Sequence, residues 1–142
     1  MNKSPAITYH LGNQLDIDEM IELYVASTLG ERRPVEDRDC MLEMLAKANL
    51  VVTAWEGDLL VGIARSLTDF CYVAYLADLA VRGSHQRGGI GKELIRRTKT
   101  ELGENATIVL LAAPDAEEYY SHIGMSQHPS AWMLKSGQTL RE

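Results

Sequence analysis

The chain has 142 residues, 46% hydrophobic and 24% charged, the proportions of a single domain (1–142) long enough to enclose a core. Its formal net charge of −6 counts against a nucleic-acid binder, which shows a basic surplus, and weakly favours a cationic partner. The N-terminus carries no signal-peptide pattern and no apolar run approaches membrane-spanning length, so a cytoplasmic protein without a membrane partner is expected.

Ile7 to Leu11 alternates apolar and polar residues and predicts a first strand. Asp16 is placed to cap a helix, with Glu19 completing a capping box, and Ile17, Met20, Ile21 and Tyr24 share one face. Gly30 and Pro34 interrupt the pattern around Glu31-Arg32-Arg33. A second helix is expected from Val35 to Asn49, with Met41, Met44, Leu45 and Ala48 inward. Leu50 to Trp55 and Leu59 to Leu67 read as a hairpin closed at Glu56-Gly57-Asp58. Tyr72 to Val81 is nearly continuous apolar sequence, as in a strand covered on both faces. Ile90, Leu94, Ile95 and Leu102 form a helical stripe, with Gly103 suited to C′. Thr107 to Ala113 reads as another buried strand, Asp115 and Glu118 as the capping box of a short helix ended by Gly124, and Met125 to Lys135 as a final hairpin. Cys40 and Cys71 lack metal-ligand spacing and read as reduced packing residues. The four histidines, His10, His85, His122 and His128, form no H-x-x-x-H pattern, so no metal is expected.

Between the apolar run ending at Val81 and the helix starting at Ile90 lies Gln86-Arg87-Gly88-Gly89-Ile90-Gly91-Lys92. Strand, glycine-rich turn and helix start are the arrangement of an anion site, because glycine lets backbone N–H groups approach and the first helical N–H groups lack internal partners; the alternative on the glycines alone is a strand-to-helix turn with no ligand. A nucleotide P-loop is excluded, since Glu93 follows Gly91-Lys92 where a hydroxyl is required; a dinucleotide fingerprint is excluded, since Leu94 occupies the third glycine position. What remains, Gln86-x-x-Gly89-x-Gly91, resembles the acetyl-coenzyme A loop of the GCN5-related N-acetyltransferase (GNAT) family. The resemblance extends through Leu79-Ala80-Val81 before the loop and Ala116-x-x-Tyr119-Tyr120-x-x-x-Gly124-Met125 after it. It is strongest from Leu76 to Met125 and faint before residue 50.

The resemblance implies an α/β fold, with a central mixed sheet flanked by helices on both faces. It implies an acetyl-coenzyme A-dependent N-acetyltransferase acting on a primary amine by direct transfer in a ternary complex. The cofactor would lie on Leu79, Ala80 and Val81, a strand segment splayed by a bulge in the family, and on Gln86, Arg87, Gly88, Gly89, Ile90, Gly91 and Lys92. Tyr120 would serve the departing thiolate; its alternative is a packed tyrosine with a satisfied hydroxyl. Asp78 is the nearest carboxylate that could accept the amine proton through water, or else it is a hydrogen-bonded structural residue. Ala77 cannot act as a base. Arg32 or Arg33 would wall the acceptor site by family analogy, or else the pair is solvated loop charge. Family habit and the apolar Trp132-Met133-Leu134 imply a homodimer. The rival expectation is a non-catalytic acyl-coenzyme A sensor of the same fold.

Overall fold

The computed structural model describes residues 6–142. Two compact units divide the chain, one ending at Leu111 and one covering Ala112–Glu142. The first is built on a five-stranded sheet in the order β1-β2-β3-β4-β5. Its strands are β1 (Ile7–Leu11), β2 (Leu50–Glu56), β3 (Leu59–Thr68), β4 (Val73–Val81) and β5 (Thr107–Val109). The first four are antiparallel neighbours, and β5 joins β4 in parallel. The sheet is therefore mixed, as expected.

Helices α1 (Ile17–Ala26) and α2 (Arg38–Lys47) cover one face, and α3 (Ile90–Thr100) covers the other. The Asp16 carboxylate caps α1 by accepting from the Asp18 N–H at 3.0 Å. Ile17, Met20, Leu23 and Tyr24 then pack with Met41 and Leu45 of α2 against Val51, Ile63 and Ala80. On the opposite face Ile90 and Leu94 pack with Val52, Ala54, Val61, Ala64 and Leu76. Gly62 permits that approach: a Cβ there would meet Leu94 Cδ1 at 3.0 Å and Ile90 Cγ2 at 3.2 Å. The start of α3, and with it the glycine-rich turn, is thus drawn close to the sheet.

Several sequence expectations are corrected. Helix α2 starts at Arg38 rather than Val35, because the Asp37 carboxylate accepts from the Cys40 N–H at 3.0 Å and sets the N-cap there. Gly103 is not a left-handed C′ residue; it lets the chain pass close to the Asp69–Cys71 turn, its N–H donating to Phe70 O at 2.8 Å. Cys40 and Cys71 are exposed, not packed. The fifth strand stops at Val109, and Val109 and Leu111 are about half exposed.

The second unit carries a 3-10 turn (Pro114–Ala116) and α4 (Glu117–His122). No side chain caps α4, so the expected capping box from Asp115 to Glu118 is absent. No strand forms from Met125 to Lys135 in place of the expected hairpin. A strand is stable only when its backbone groups find a ladder; Pro129 removes one donor from the segment. Among the described residues no helix is long and apolar enough to cross a membrane.

Candidate active site

Strand β4 carries the central irregularity. Arg65 of β3 pairs with Asp78, but the next β3 residue, Ser66, pairs with Leu76. Ala77 is the extra residue, so the strand is bulged two positions before the Leu79–Val81 segment suggested by the family resemblance. The bulge switches the side-chain phase. Leu76 lies on the α3 face, whereas Asp78 and Ala80 lie on the α1–α2 side with Leu79 opposite. Pairing with β5 ends at Tyr75↔Val109. From Leu76 to Val81 the backbone therefore has β3 on one side and, among the described residues, no strand partner on the other.

Asp78 lies in a buried ionic cluster on this bulge. Its carboxylate accepts from Tyr24 Oη at 2.6 Å, Arg65 Nε at 2.5 Å and Arg33 Nε at 2.5 Å. Asp78 is 1% exposed and Arg65 7%. Arg33 Nη2 also donates to Ala77 O at 2.9 Å, and Arg65 Nη1 to Met44 O at 3.1 Å. Burial alone would raise the Asp78 pKa, but the Arg65 hydrogen bond and charge, with Tyr24 and Arg33, outweigh it and hold the carboxyl below its usual value. Burial, and then the Asp78 charge, push the Tyr24 hydroxyl well above its usual value, so it remains a donor. A carboxylate with three donors and a lowered pKa is a poor proton acceptor, whereas it is well suited to hold two guanidinium groups in a low-dielectric core.

The turn after β4 is secured at several points. Arg82 closes the strand: its N–H donates to Val61 O at 2.8 Å, and its guanidinium grips the Glu22 carboxylate of α1 with Nη1 at 2.7 Å and Nη2 at 2.5 Å. Gln86 Nε2 donates to Val81 O at 3.1 Å, tying the turn to the end of β4. His85 Nε2 meets Glu56 Oε2 at 2.5 Å, and its Nδ1 meets Ser84 Oγ at 2.7 Å. Arg87 and Gly89 adopt left-handed backbone conformations, with φ of 68° and 86°. Gly89 is the N-cap of α3, with no side-chain cap. None of the backbone N–H groups from Arg87 to Lys92 makes a well-aligned hydrogen bond to an acceptor among the described residues. Left-handed residues at Arg87 and Gly89 that lead into a helix N-terminus turn backbone donors toward one side, the arrangement that receives a pyrophosphate. The residues thus fit the diphosphate of coenzyme A.

In the second unit, Tyr119 and Tyr120 of α4 make an edge-to-face contact with centroids 5.2 Å apart. Burial first, and then Tyr119, raises the Tyr120 pKa, so its hydroxyl is protonated at neutral pH. No hydrogen-bond partner for that hydroxyl occurs among the described residues.

Sequence reasoning singled out Asp78 and Arg33 separately and missed their union, together with Tyr24, Arg65, Arg82 and the His85–Glu56 pair. One signal was available. Arg65 and Asp78 each stand inside an apolar strand, and buried charges require partners.

Comparison with known proteins agrees with this fold. A family profile described as an acetyltransferase (GNAT) domain matches residues 28–137. No curated protein sequence matches the chain. Among solved structures, a GNAT-family acetyltransferase of Streptococcus pneumoniae superimposes with a TM-score of 0.73 at 21% identity, over 92% of this chain and 99% of its own. An aminoglycoside N-acetyltransferase solved with coenzyme A gives 0.72 at 15% identity, over 96% and 99%. An aminoglycoside acetyltransferase from an uncultured soil metagenomic sample, solved with sisomicin, gives 0.65 at 20% identity, over 95% and 97%. With its mixed five-stranded sheet, its donor-lined turn at the start of α3 and a profile match across most of its length, the chain belongs to the GNAT acetyltransferase family.

Proposed function

We propose that this protein transfers the acetyl group of acetyl-coenzyme A directly to a primary amine in a ternary complex. The observation that carries the reading is the run of unsatisfied N–H groups from Arg87 to Lys92 at the start of α3, beside a β4 edge left open after Tyr75. Gln86 orders the turn, and Arg87, Gly88, Gly89, Ile90, Gly91 and Lys92 receive the pyrophosphate. The unpaired backbone of Leu79, Ala80 and Val81 takes the adjoining arm by strand-like hydrogen bonding. When bound, the co-substrate supplies the activated thioester. A backbone N–H at the bulge polarises its carbonyl; donors of this kind are typically worth about 3–4 kcal/mol. Tyr120 donates a hydrogen bond to the departing sulfur. Asp78 is assigned to hold Arg33 and Arg65 rather than to take a proton. The amine instead loses its proton to solvent, at about 4.6 kcal/mol for a lysine-like amine at pH 7. The family profile crosses both compact units, which supports residues 1–142 as one functional domain.

The net charge of −6 and the aminoglycoside acetyltransferases among the structural neighbours favour a cationic acceptor. The test is release of free coenzyme A with a panel of sisomicin, polyamines and lysine peptides, with the acetylated product identified by mass spectrometry. Acetyl-coenzyme A binding without release for any amine would overturn transfer. It would favour a sensor of acyl-coenzyme A, a reading supported by the engagement of Asp78 in ion pairs.

Gly89→Val tests the cofactor assignment. The native φ of 86° is one that a side chain resists, while a Cβ there would meet nothing within 4 Å, so the penalty is conformational and not a matter of packing. A left-handed residue costs about 1–2 kcal/mol. Cofactor affinity by calorimetry is therefore expected to fall about tenfold or more. Wild-type affinity would move the pyrophosphate elsewhere.

We also infer a homodimer. Trp132, Met133 and Leu134 are 93%, 63% and 58% exposed, a contiguous apolar run of the kind that association covers. Sedimentation is expected to give twice the 15.8 kDa chain mass. A concentration-independent monomer mass would refute it.

A further inference from the structure

Arg33 lies on the connection between α1 and α2, yet its guanidinium reaches β4 at the bulge. Nε meets Asp78 Oδ1 at 2.5 Å and Nη2 meets Ala77 O at 2.9 Å, so one planar fork spans the irregular Ala77–Asp78 peptide. Nη1 donates to Arg32 O at 2.8 Å, which folds the fork back on its own chain. Arg65 holds the other carboxylate oxygen from β3, and Tyr24 reaches that same oxygen from α1. The Arg33 side chain is 26% exposed, against 9% for Arg65. Arg33 is thus the outer member of the cluster, and among the described side chains it alone bonds to the carbonyl of the extra residue.

A bulge leaves one residue without a ladder partner, and its peptide plane is free to rotate unless something holds it. Here the β3 ladder skips Ala77, and β5 does not extend past Tyr75. The Ala77 carbonyl is therefore held by a side chain. Fixing that carbonyl fixes the N–H of the same peptide, which belongs to Asp78, and the direction in which the chain enters Leu79.

We propose that Arg33 is a positioning residue for acetyl transfer: its fork locks the bulged Ala77–Asp78 peptide of β4 and pins the α1–α2 connection to the same point. The inference rests on the transfer reading above. Arg33 touches neither co-substrate nor acceptor in this role; it sets the backbone that does.

The clamp requires two donors with fixed separation, one for the carboxylate and one for the carbonyl. A lysine retains the charge but presents a single point donor. The pyrophosphate turn has its own anchors, through Gln86 to Val81 and His85 to Glu56, and none of them passes through Arg33. The effect of losing the fork should therefore fall on turnover far more than on cofactor affinity.

The experiment compares wild type, Arg33→Ala and Arg33→Lys. It measures acetyl-coenzyme A affinity by calorimetry, turnover with the best amine of the panel, and amide exchange across residues 74–82. Arg33→Ala is expected to lower kcat about tenfold or more, the scale for groups that position reacting atoms. Its cofactor Kd should stay within about twofold of wild type, and its Ala77–Leu79 amides should exchange faster. Arg33→Lys is expected to keep native stability more nearly than Arg33→Ala and still lack the full kcat; it also serves if Arg33→Ala does not fold. A role in stability alone would lower the melting temperature and leave kcat intact well below it, which would overturn the proposal. Unchanged amide exchange, or a Kd that weakens in step with kcat, would overturn it as well. A wild type that binds acetyl-coenzyme A without turnover would remove the transfer reading and this inference together. Wild-type turnover that persists in Arg33→Ala would remove this inference alone.

Discussion

Asp78→Ala is expected to lose about 3–5 kcal/mol of folding stability, the scale for breaking a buried ion pair from one side. The substitution leaves Arg65, 7% exposed, with only the Met44 carbonyl at 3.1 Å, and leaves the buried Tyr24 hydroxyl without an acceptor. Arg33 can turn toward solvent, so most of the loss comes from Arg65 and Tyr24. For a domain of this size the melting temperature should fall by about 10–20 °C. Asp78→Asn keeps the shape and an acceptor oxygen, and should lose less. The pH dependence follows from the direction of the Asp78 shift. Its carboxyl is held below its unfolded value, so the stability it contributes is fully present above the unfolded pKa, about 3.9, and is lost as pH falls through the lower folded value. The gap in stability between wild type and Asp78→Asn should therefore be constant near neutrality and close only in strong acid. Denaturant melts across that range provide the check. An Asp78→Ala variant within about 0.5 kcal/mol of wild type, the range of an ordinary surface change, would show that the cluster does not hold the sheet to α1.

The same cluster marks the boundary of what the sequence discloses. The β2–β3 hairpin is legible because two apolar runs flank Glu56-Gly57-Asp58, and turn chemistry is local. The glycine-rich turn is legible for the same reason: Gly89 answers to its own φ and to the helix that follows. The bulge is not legible, because nothing about Ala77 differs from an ordinary strand alanine; the irregularity exists only between two strands. Asp78 and Arg65 each stand out as charges within apolar strands, but their pairing is a matter of register, and Arg33 arrives from a distant connection. Thr107 to Ala113 and Met125 to Lys135 carry strand-like residues and still form little strand. Only Thr107–Val109 finds a partner, opposite Val73–Tyr75. Local preference proposes a strand, and the partner decides it.

Tyr120→Phe is expected to lower turnover about a hundredfold, the lower end of what a general acid contributes, while cofactor affinity stays close to wild type. The substitution removes a hydroxyl and little volume, and it leaves the turn from Arg87 to Lys92 untouched. The low end follows from proton energetics. A tyrosine near 10 donating to a thiolate whose acid is near 8.5 works uphill by about 2 kcal/mol. Burial and the neighbouring Tyr119 raise the Tyr120 pKa and make complete transfer costlier still. The hydroxyl therefore acts as a hydrogen-bond donor to developing charge, not as a source of a fully transferred proton. Such an interaction strengthens toward the transition state and so appears in kcat rather than in binding. A purely packing tyrosine predicts the reverse, a small change in melting temperature with kcat intact. Single-turnover rates beside a melting curve separate the two. An unchanged rate where chemistry limits would take Tyr120 out of the reaction and leave stabilisation of the departing sulfur to solvent and backbone.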